Sequence, residues 1–341
     1  MPAKTRKTLT SAATLMLAAG LSALLGAYPA HASVPVAGSV GLASTAAVAI
    51  AADDGAYVVS ENWLDSRMVD LQISSPAVGA TVPVRLLVPP GWSPTATQTW
   101  PVLYLLQGAH DDYTSWTRET SIESFTANRN VIVAMPSAGP TGIPTDWYNS
   151  GTDSPNYEAF QATELWQLLQ RSYRASTVRD VAGVSTGGYG AIAMAAHYPG
   201  TFKAAASYSG ILDTTFPTIP QVLDAIVARE NLDPNSLWGD PTANAALWTA
   251  DNPYSQMSKL RGTALFISSG TGIAGGTGDP LGGTLEVSLF PQATYFAFGL
   301  MLAGIPATTD FYLGGVHNWS SWQGEFTKSW PLLATGLGLS S

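Results

Sequence analysis

Short apolar stretches alternate along this chain with longer stretches of amphipathic spacing. Val84–Val88, Val102–Leu106, Val131–Met135, Val178–Val184, Ala204–Ser207, Ala264–Ser268 and Thr309–Leu313 read as strands, and Ser115–Ala127, Tyr157–Tyr173, Tyr189–His197, Pro220–Glu230 and Leu285–Leu302 as helices. A run such as Val102-Leu103-Tyr104-Leu105-Leu106 has no polar face, so it suits a strand covered on both sides. Strands of that kind alternating with helices predict an α/β architecture: a single domain over residues 57–341, with a mainly parallel sheet and helices on both faces. The long segment from Ile211 to Tyr254, with its Trp and Pro residues, is expected to form a cap beside the sheet.

The N-terminus departs from this pattern. Lys4, Arg6 and Lys7 precede an apolar run from Leu15 to Leu25 and then Ala30-His31-Ala32, the arrangement of a cleaved export signal over residues 1–32. The run is shorter than the roughly 20 residues that cross a bilayer. Residues 33–56, rich in Ala, Gly, Ser and Val, read as a flexible spacer, and the protein is expected to be secreted or held at the cell envelope. Loss of the signal leaves 12 basic against 24 acidic residues, a net charge of −12, which argues against a nucleic-acid partner. The chain has no cysteine, which excludes disulfides and a catalytic thiol.

Gly183-Val184-Ser185-Thr186-Gly187 fits G-x-S-x-G, the strand-to-helix turn that lifts a nucleophilic serine clear of an α/β-hydrolase sheet. A serine hydroxyl needs an imidazole to take its proton. His31 leaves with the signal, His197 lies far down the helix after the serine and is expected to cap its end, and His110 precedes the serine. His317 follows the last strand, which fits the Ser, acid, His order of this fold. The acid should lie between Ser185 and His317. Spacing divides the role between Asp279 and Glu286, while Asp310 reads as a turn acid. Backbone N–H groups at Thr186 and at Ala109, in the loop Gln107-Gly108-Ala109-His110, are the expected oxyanion donors. Trp319, two residues past His317, is a candidate for substrate contact. The chain lacks H-E-x-x-H, Cys/His clusters and a Walker loop, so neither a metal nor an organic cofactor is expected.

Taken together these residues resemble the antigen 85 mycolyltransferases of the mycobacterial envelope and their corynebacterial relatives. The resemblance runs through Leu105-Leu106-Gln107-Gly108, Asp111-Asp112-Tyr113, Thr145-Asp146-Trp147-Tyr148, the serine turn, Leu237-Trp238-Gly239, Leu285-Glu286 and Gly315-Val316-His317-Asn318-Trp319. It implies Glu286 as the acid and backbone donors at Ala109 and Thr186. It also implies substrate contacts at Gln107 and His110, where trehalose-binding members carry an aspartate and an arginine. Ser269 stands at the position of the family's cysteine. The aromatic segment linked to fibronectin binding is replaced by Ser124-Phe125-Thr126-Ala127-Asn128-Arg129, so fibronectin is not an expected partner.

Three functions fit these features. One is an exported acyltransferase that moves mycolyl-type acyl groups between trehalose esters and envelope acceptors. The others are a secreted carboxylesterase acting on acyl esters and a family member that only binds glycolipid. The last is disfavoured because Ser185, Glu286 and His317 are all present.

Overall fold

The apolar runs do become the buried centre of a sheet. The computed structural model describes residues 51–149, 154–273 and 279–340. Among these, nine strands pair in the order β1-β2-β3-β5-β4-β6-β7-β8-β9: β1 Tyr57–Trp63, β2 Met68–Ser75, β3 Ala80–Leu87, β4 Trp100–Leu106, β5 Ile132–Pro136, β6 Ala175–Val184, β7 Ala204–Tyr208, β8 Ala264–Gly270 and β9 Thr308–Tyr312. The six strands from β5 to β9 run parallel, and β1 to β3 form an antiparallel meander on one edge. Every expected strand is present. β1 and β2 are additional: β2 alternates, with Val69, Leu71 and Ile73 buried and Asp70 and Gln72 turned outward, whereas β1 is mostly exposed and carries little apolar signal.

Side chains alternate across the central strands and feed two core layers. Val102, Tyr104 and Leu106 of β4 pack beneath the helices Leu165–Ser172, Thr186–His197 and Pro280–Leu302. Leu103 and Leu105 point the other way, toward the short helices Ser115–Glu119 and Ile122–Thr126 and the C-terminal helix Trp319–Gly336. That C-terminal helix buries Trp322, Phe326, Trp330 and Leu333, a stripe at helical spacing that closes the second layer.

Several expected boundaries shift for local reasons. The Ser115–Ala127 segment breaks at Thr120, which is extended and whose hydroxyl bonds back to the carbonyl of Trp116. The helix after Tyr157 contains a π-turn at Phe160–Glu164, where buried Glu164 accepts from the Ala77 N–H at 2.7 Å. The spacer was expected to reach residue 56, but residues 51–56 already belong to the packed domain. Ala52 and Ala56 are buried, and Asp53 N–H donates to Gln167. The export signal and the spacer through residue 50 lie outside the described residues.

The Ile211–Tyr254 segment is a lobe with its own core. Ile219, Leu223, Trp238 and Trp248 pack against Tyr189 of the helix that follows Ser185. His197, expected to cap its own helix, instead bridges to Glu158, with Nδ1 2.8 Å from its Oε1, and to the lobe, with Nε2 2.9 Å from the Ala250 carbonyl. Burial opposes protonation of His197, but the hydrogen bond and charge of Glu158 and the Ala250 carbonyl outweigh it, lifting its pKa from 6.5 to about 9. A raised histidine pKa contributes stability that is complete below the unfolded value near 6.5 and is lost as pH rises through 9. The unfolding free energy should therefore fall across pH 6.5 to 9 by roughly 1–3 kcal/mol, allowing for partial exposure, and His197→Gln should flatten that segment of the curve. Denaturant titrations at half-unit pH steps measure it, and an equally steep fall in the variant would contradict the assignment.

Candidate active site

Ser185 sits at the turn from β6 into the helix Thr186–His197, with φ 54° and ψ −120°. A left-handed φ is costly for any residue with a Cβ, so the surrounding structure must hold it. It does so by close packing that only glycine permits. A Cβ on Gly183 would lie 2.2 Å from the Gly187 carbonyl oxygen, and one on Gly187 would lie 2.3 Å from the Gln107 carbonyl oxygen. The Ser185 N–H also donates to the Tyr208 carbonyl of the adjacent strand at 2.9 Å.

Three loops at the carboxyl ends of parallel strands converge there, where open α/β sheets place their ligands. The loop after β9 brings His317 Nε2 to 2.9 Å from Ser185 Oγ, so the hydroxyl donates to the ring. His317 Nδ1 donates to Glu286 Oε2 at 2.9 Å. Glu286 lies on the second turn of the helix Pro280–Leu302 and has no exposed surface. Its other oxygen, Oε1, accepts from Ser209 Oγ at 2.7 Å, Ser269 Oγ at 2.8 Å and Gly270 N–H at 2.7 Å. Ser209 in turn accepts from Trp322 Nε1 at 3.1 Å, and the Trp322 ring stands edge-on to His317 at 4.9 Å.

The other two candidate acids, Asp279 and Asp310, have other partners. Asp279 is the N-cap of the same helix, where Oδ1 accepts from Gly282 N–H at 2.8 Å, and Asp310 pairs with Lys328 at 2.7 Å. Asp279 ahead of Pro280 is an N-cap signature that could have removed it from the sequence argument.

Thr186 is the first residue of its helix, so its N–H has no partner within the helix. Ala109 lines the same cavity as Ser185, in a loop pressed against the serine turn: a Cβ on Gly108 would sit 3.3 Å from Ser185 Cβ. The cavity has a volume of about 230 Å³. Ile211, Val222, Ile226, Leu285 and Leu289 make its apolar wall, while His110, Asp111, Arg229 and Asp279 supply polar groups. His110 and Trp319, the other residues expected to contact substrate, line this space. Burial and the nearby Arg229 charge hold His110 below the ordinary imidazole range, against its hydrogen bond to Glu230. Trp319 Nε1 donates to Asp111 Oδ2 at 3.3 Å and its ring meets Trp116 and Trp322 edge to face.

Gln107 corrects an expectation. It was expected to contact substrate, but it is buried and does not line the cavity; its Nε2 donates to the Asp111 and Gly139 carbonyls, bracing the loop that carries Ala109. The residues that sequence reasoning passed over are Ser209, Gly270 and Trp322, whose roles depend on approach in space. The correspondence of Ser269 with a family cysteine was the one signal at this position.

A parallel-stranded sheet with a serine on a strained strand-to-helix turn and an imidazole–carboxylate pair beside it defines an α/β-hydrolase of serine-hydrolase type. Residues 75–333 match the family described as "Putative esterase", and the chain belongs to that family. An esterase of Mycobacterium tuberculosis (strain CDC 1551 / Oshkosh) is 30% identical over 287 residues, which cover 80% of this chain and 62% of that one. This chain thus spans about three-fifths of that relative's length. The diacylglycerol acyltransferase/mycolyltransferase Ag85B of Mycobacterium leprae is 28% identical over 318 residues, 87% of this chain and 93% of its own. Among solved structures, Mycobacterium tuberculosis MPT51 superposes with a TM-score of 0.67 at 21% identity, covering 80% of this chain and all of that one. The fluorophosphonate-binding serine hydrolase FphF of Staphylococcus aureus gives 0.62 at 18% identity, over 78% of this chain and 97% of its own.

Ser209→Ala removes one donor from a buried carboxylate and one acceptor from a buried indole. It should lower the unfolding free energy by about 1–3 kcal/mol. Denaturant unfolding of variant and parent gives the difference directly, and a loss under about 0.5 kcal/mol would mean that the Glu286 oxygen is satisfied without this hydroxyl.

Proposed function

We propose that the protein is an exported serine acyltransferase that moves long acyl groups from trehalose esters or related glycolipids to envelope hydroxyl acceptors. The observation that carries the reading is the run of hydrogen bonds Ser185–His317–Glu286, opening on a cavity with one apolar wall. Ser185 Oγ attacks the ester carbonyl carbon while its proton passes to His317 Nε2. Glu286 holds the ring so that Nδ1–H faces the carboxylate, and stabilises the imidazolium that forms. The charge that develops on the carbonyl oxygen falls to the N–H groups of Ala109 and Thr186. Collapse breaks the ester C–O bond, and the leaving alkoxide takes the proton back from His317. The acceptor hydroxyl then gives its proton to His317 and attacks the acyl carbon; the Ser185 Oγ–acyl bond breaks and His317 returns the proton to Oγ.

Support for transfer comes from the likeness to a mycolyltransferase over 93% of that relative's length. The expected export signal fits donors and acceptors outside the cell membrane. His110, Arg229 and Asp111 then serve the acceptor end, with the acyl chain along Leu285 and Leu289. A second reading, hydrolysis, is favoured by one observation: neither position 107 nor 110 carries the charged sugar contact of the trehalose-binding members, and Gln107 does not line the cavity. Transfer and hydrolysis share the acyl-enzyme and differ in which hydroxyl reaches it.

The test is product analysis on a trehalose monoester. Diester should form at a rate that rises with acceptor concentration, with free acid as the minor product. Glu286→Gln should lower turnover by about 10⁴-fold, and Asp279→Asn, which keeps an N-cap, should change it less than about threefold. Free acid as the sole product at saturating acceptor would replace transfer by hydrolysis.

A further inference from the structure

The two backbone donors of the oxyanion hole come from separate parts of the chain: Ala109 from the loop after β4, and Thr186 from the start of the helix after β6. Two N–H groups stabilise one developing charge only if both point at the same place, so these elements must be fixed against each other. The loop after β5 does so. In the sheet, β5 lies on the far side of β4 from β6, and the chain leaving it passes the end of β4 to reach the helix Thr186–His197. On the way it turns at residues 139–142, where the Gly142 N–H donates to the Gly139 carbonyl at 3.1 Å. Three successive carbonyls of this turn face the two oxyanion elements. Gly139 accepts from Gln107 Nε2 at 3.1 Å, Pro140 from the His110 N–H at 2.8 Å, and Thr141 from the Thr186 hydroxyl at 3.2 Å. So close a fit requires glycine at 142, where a Cβ would lie 2.4 Å from the Gly108 carbonyl oxygen and 2.8 Å from Thr186 Oγ1.

We infer that the turn at residues 139–142 is the template of the oxyanion hole, and that the Thr186 hydroxyl and the Gln107 amide are positioning residues that lock onto it. The hydroxyl fixes the helix start that presents the Thr186 N–H, and the amide fixes the loop that presents the Ala109 N–H. Both side chains are buried and neither lines the cavity, so each acts through a backbone donor and not on the substrate. Gln107 is held through its donors alone: Nε2 serves the Asp111 and Gly139 carbonyls, and Oε1 has no partner among the described residues. The aspartate that trehalose-binding members carry at this position could not do the same, because a carboxylate has no proton to offer the two carbonyls. The inference rests on the reading of the site as one that cleaves acyl esters through Ser185.

The experiment compares Thr186→Val, which keeps the backbone donor and the side-chain volume but loses the O–H, with Thr186→Ser, which keeps the O–H. On water-soluble p-nitrophenyl acetate, Thr186→Val should lower kcat about tenfold, a part of what removal of a whole oxyanion donor costs, with KM within about twofold of the parent. Thr186→Ser should recover most of that loss. A trifluoromethyl ketone reports on the hole itself: Ser185 Oγ adds to its carbonyl carbon, the proton passes to His317, and the carbonyl oxygen becomes the oxyanion. Its affinity should fall in Thr186→Val by about the same factor as kcat/KM, while affinity for the matching methyl ketone, which binds without adding, stays at the parent value. That split, read on folded protein below the unfolding transition, is one that a merely structural role would not give. Gln107→Met, which deletes the other donor at similar length, should split the two ketones in the same way through Ala109. A parental kcat in Thr186→Val, a serine variant as impaired as the valine one, or equal losses for the two ketones would overturn the inference. A parent enzyme that forms no adduct with the trifluoromethyl ketone would instead strike at the serine chemistry beneath it.

Discussion

A carboxylate with no exposed surface survives only if the protein supplies the hydrogen bonds that water would, because an unpaired buried charge costs several kcal/mol. Glu286 has four such partners, and they come from separate parts of the chain. Ser209 follows β7, Ser269 and Gly270 end β8, and His317 follows β9, while the carboxylate itself rides on the helix between β8 and β9. Satisfying one side chain thus requires the three C-terminal strands to be in register and the helix to be seated on them. The order at the active site and the order of this half of the sheet are the same constraint.

Close approach of backbone makes that convergence possible. A Cβ on Gly270 would lie 2.4 Å from the backbone of Gly315, so the loop carrying His317 can reach the end of β8 only because both positions lack a side chain. Gly183 and Gly187 do the same for the turn that carries Ser185, packing it against the end of β4. The strained backbone of Ser185 is then held by its N–H bond to Tyr208 and by the helix that begins at Thr186. The aromatic shell of Trp116, Trp319 and Trp322 packs edge to face behind His317 and leaves the ring few orientations.

What could be read from the chain divides along the same physical line. Strands β4, β5, β7 and β8 were legible because burial on both faces demands nearly unbroken apolar runs, β3, β6 and β9 from shorter apolar pieces, and the serine turn was legible because its glycines are a local requirement. β1 escaped because an exposed edge strand needs no apolar pattern, and the C-terminal helix was overlooked although Trp322, Phe326 and Trp330 recur at helical spacing. Spacing could not separate Asp279 from Glu286, since the choice depends on which carboxylate the helix start consumes as a cap. Gln107 shows the opposite limit: its position beside the oxyanion loop was right, but the direction of its side chain is set by the carbonyls of Asp111 and Gly139, which only the folded loop brings near. The polar shell of Ser209 and Trp322 has no signature along the chain.

The central claim is that Ser185, activated through His317, carries the acyl group during turnover. Rapid quench of the enzyme with an activated ester, followed by intact mass measurement and peptide mapping, tests it most directly. The account predicts a single acyl adduct on the peptide containing Ser185, formed within the first turnover and absent in His317→Gln. An adduct on another residue, or steady turnover with no covalent species, would contradict it.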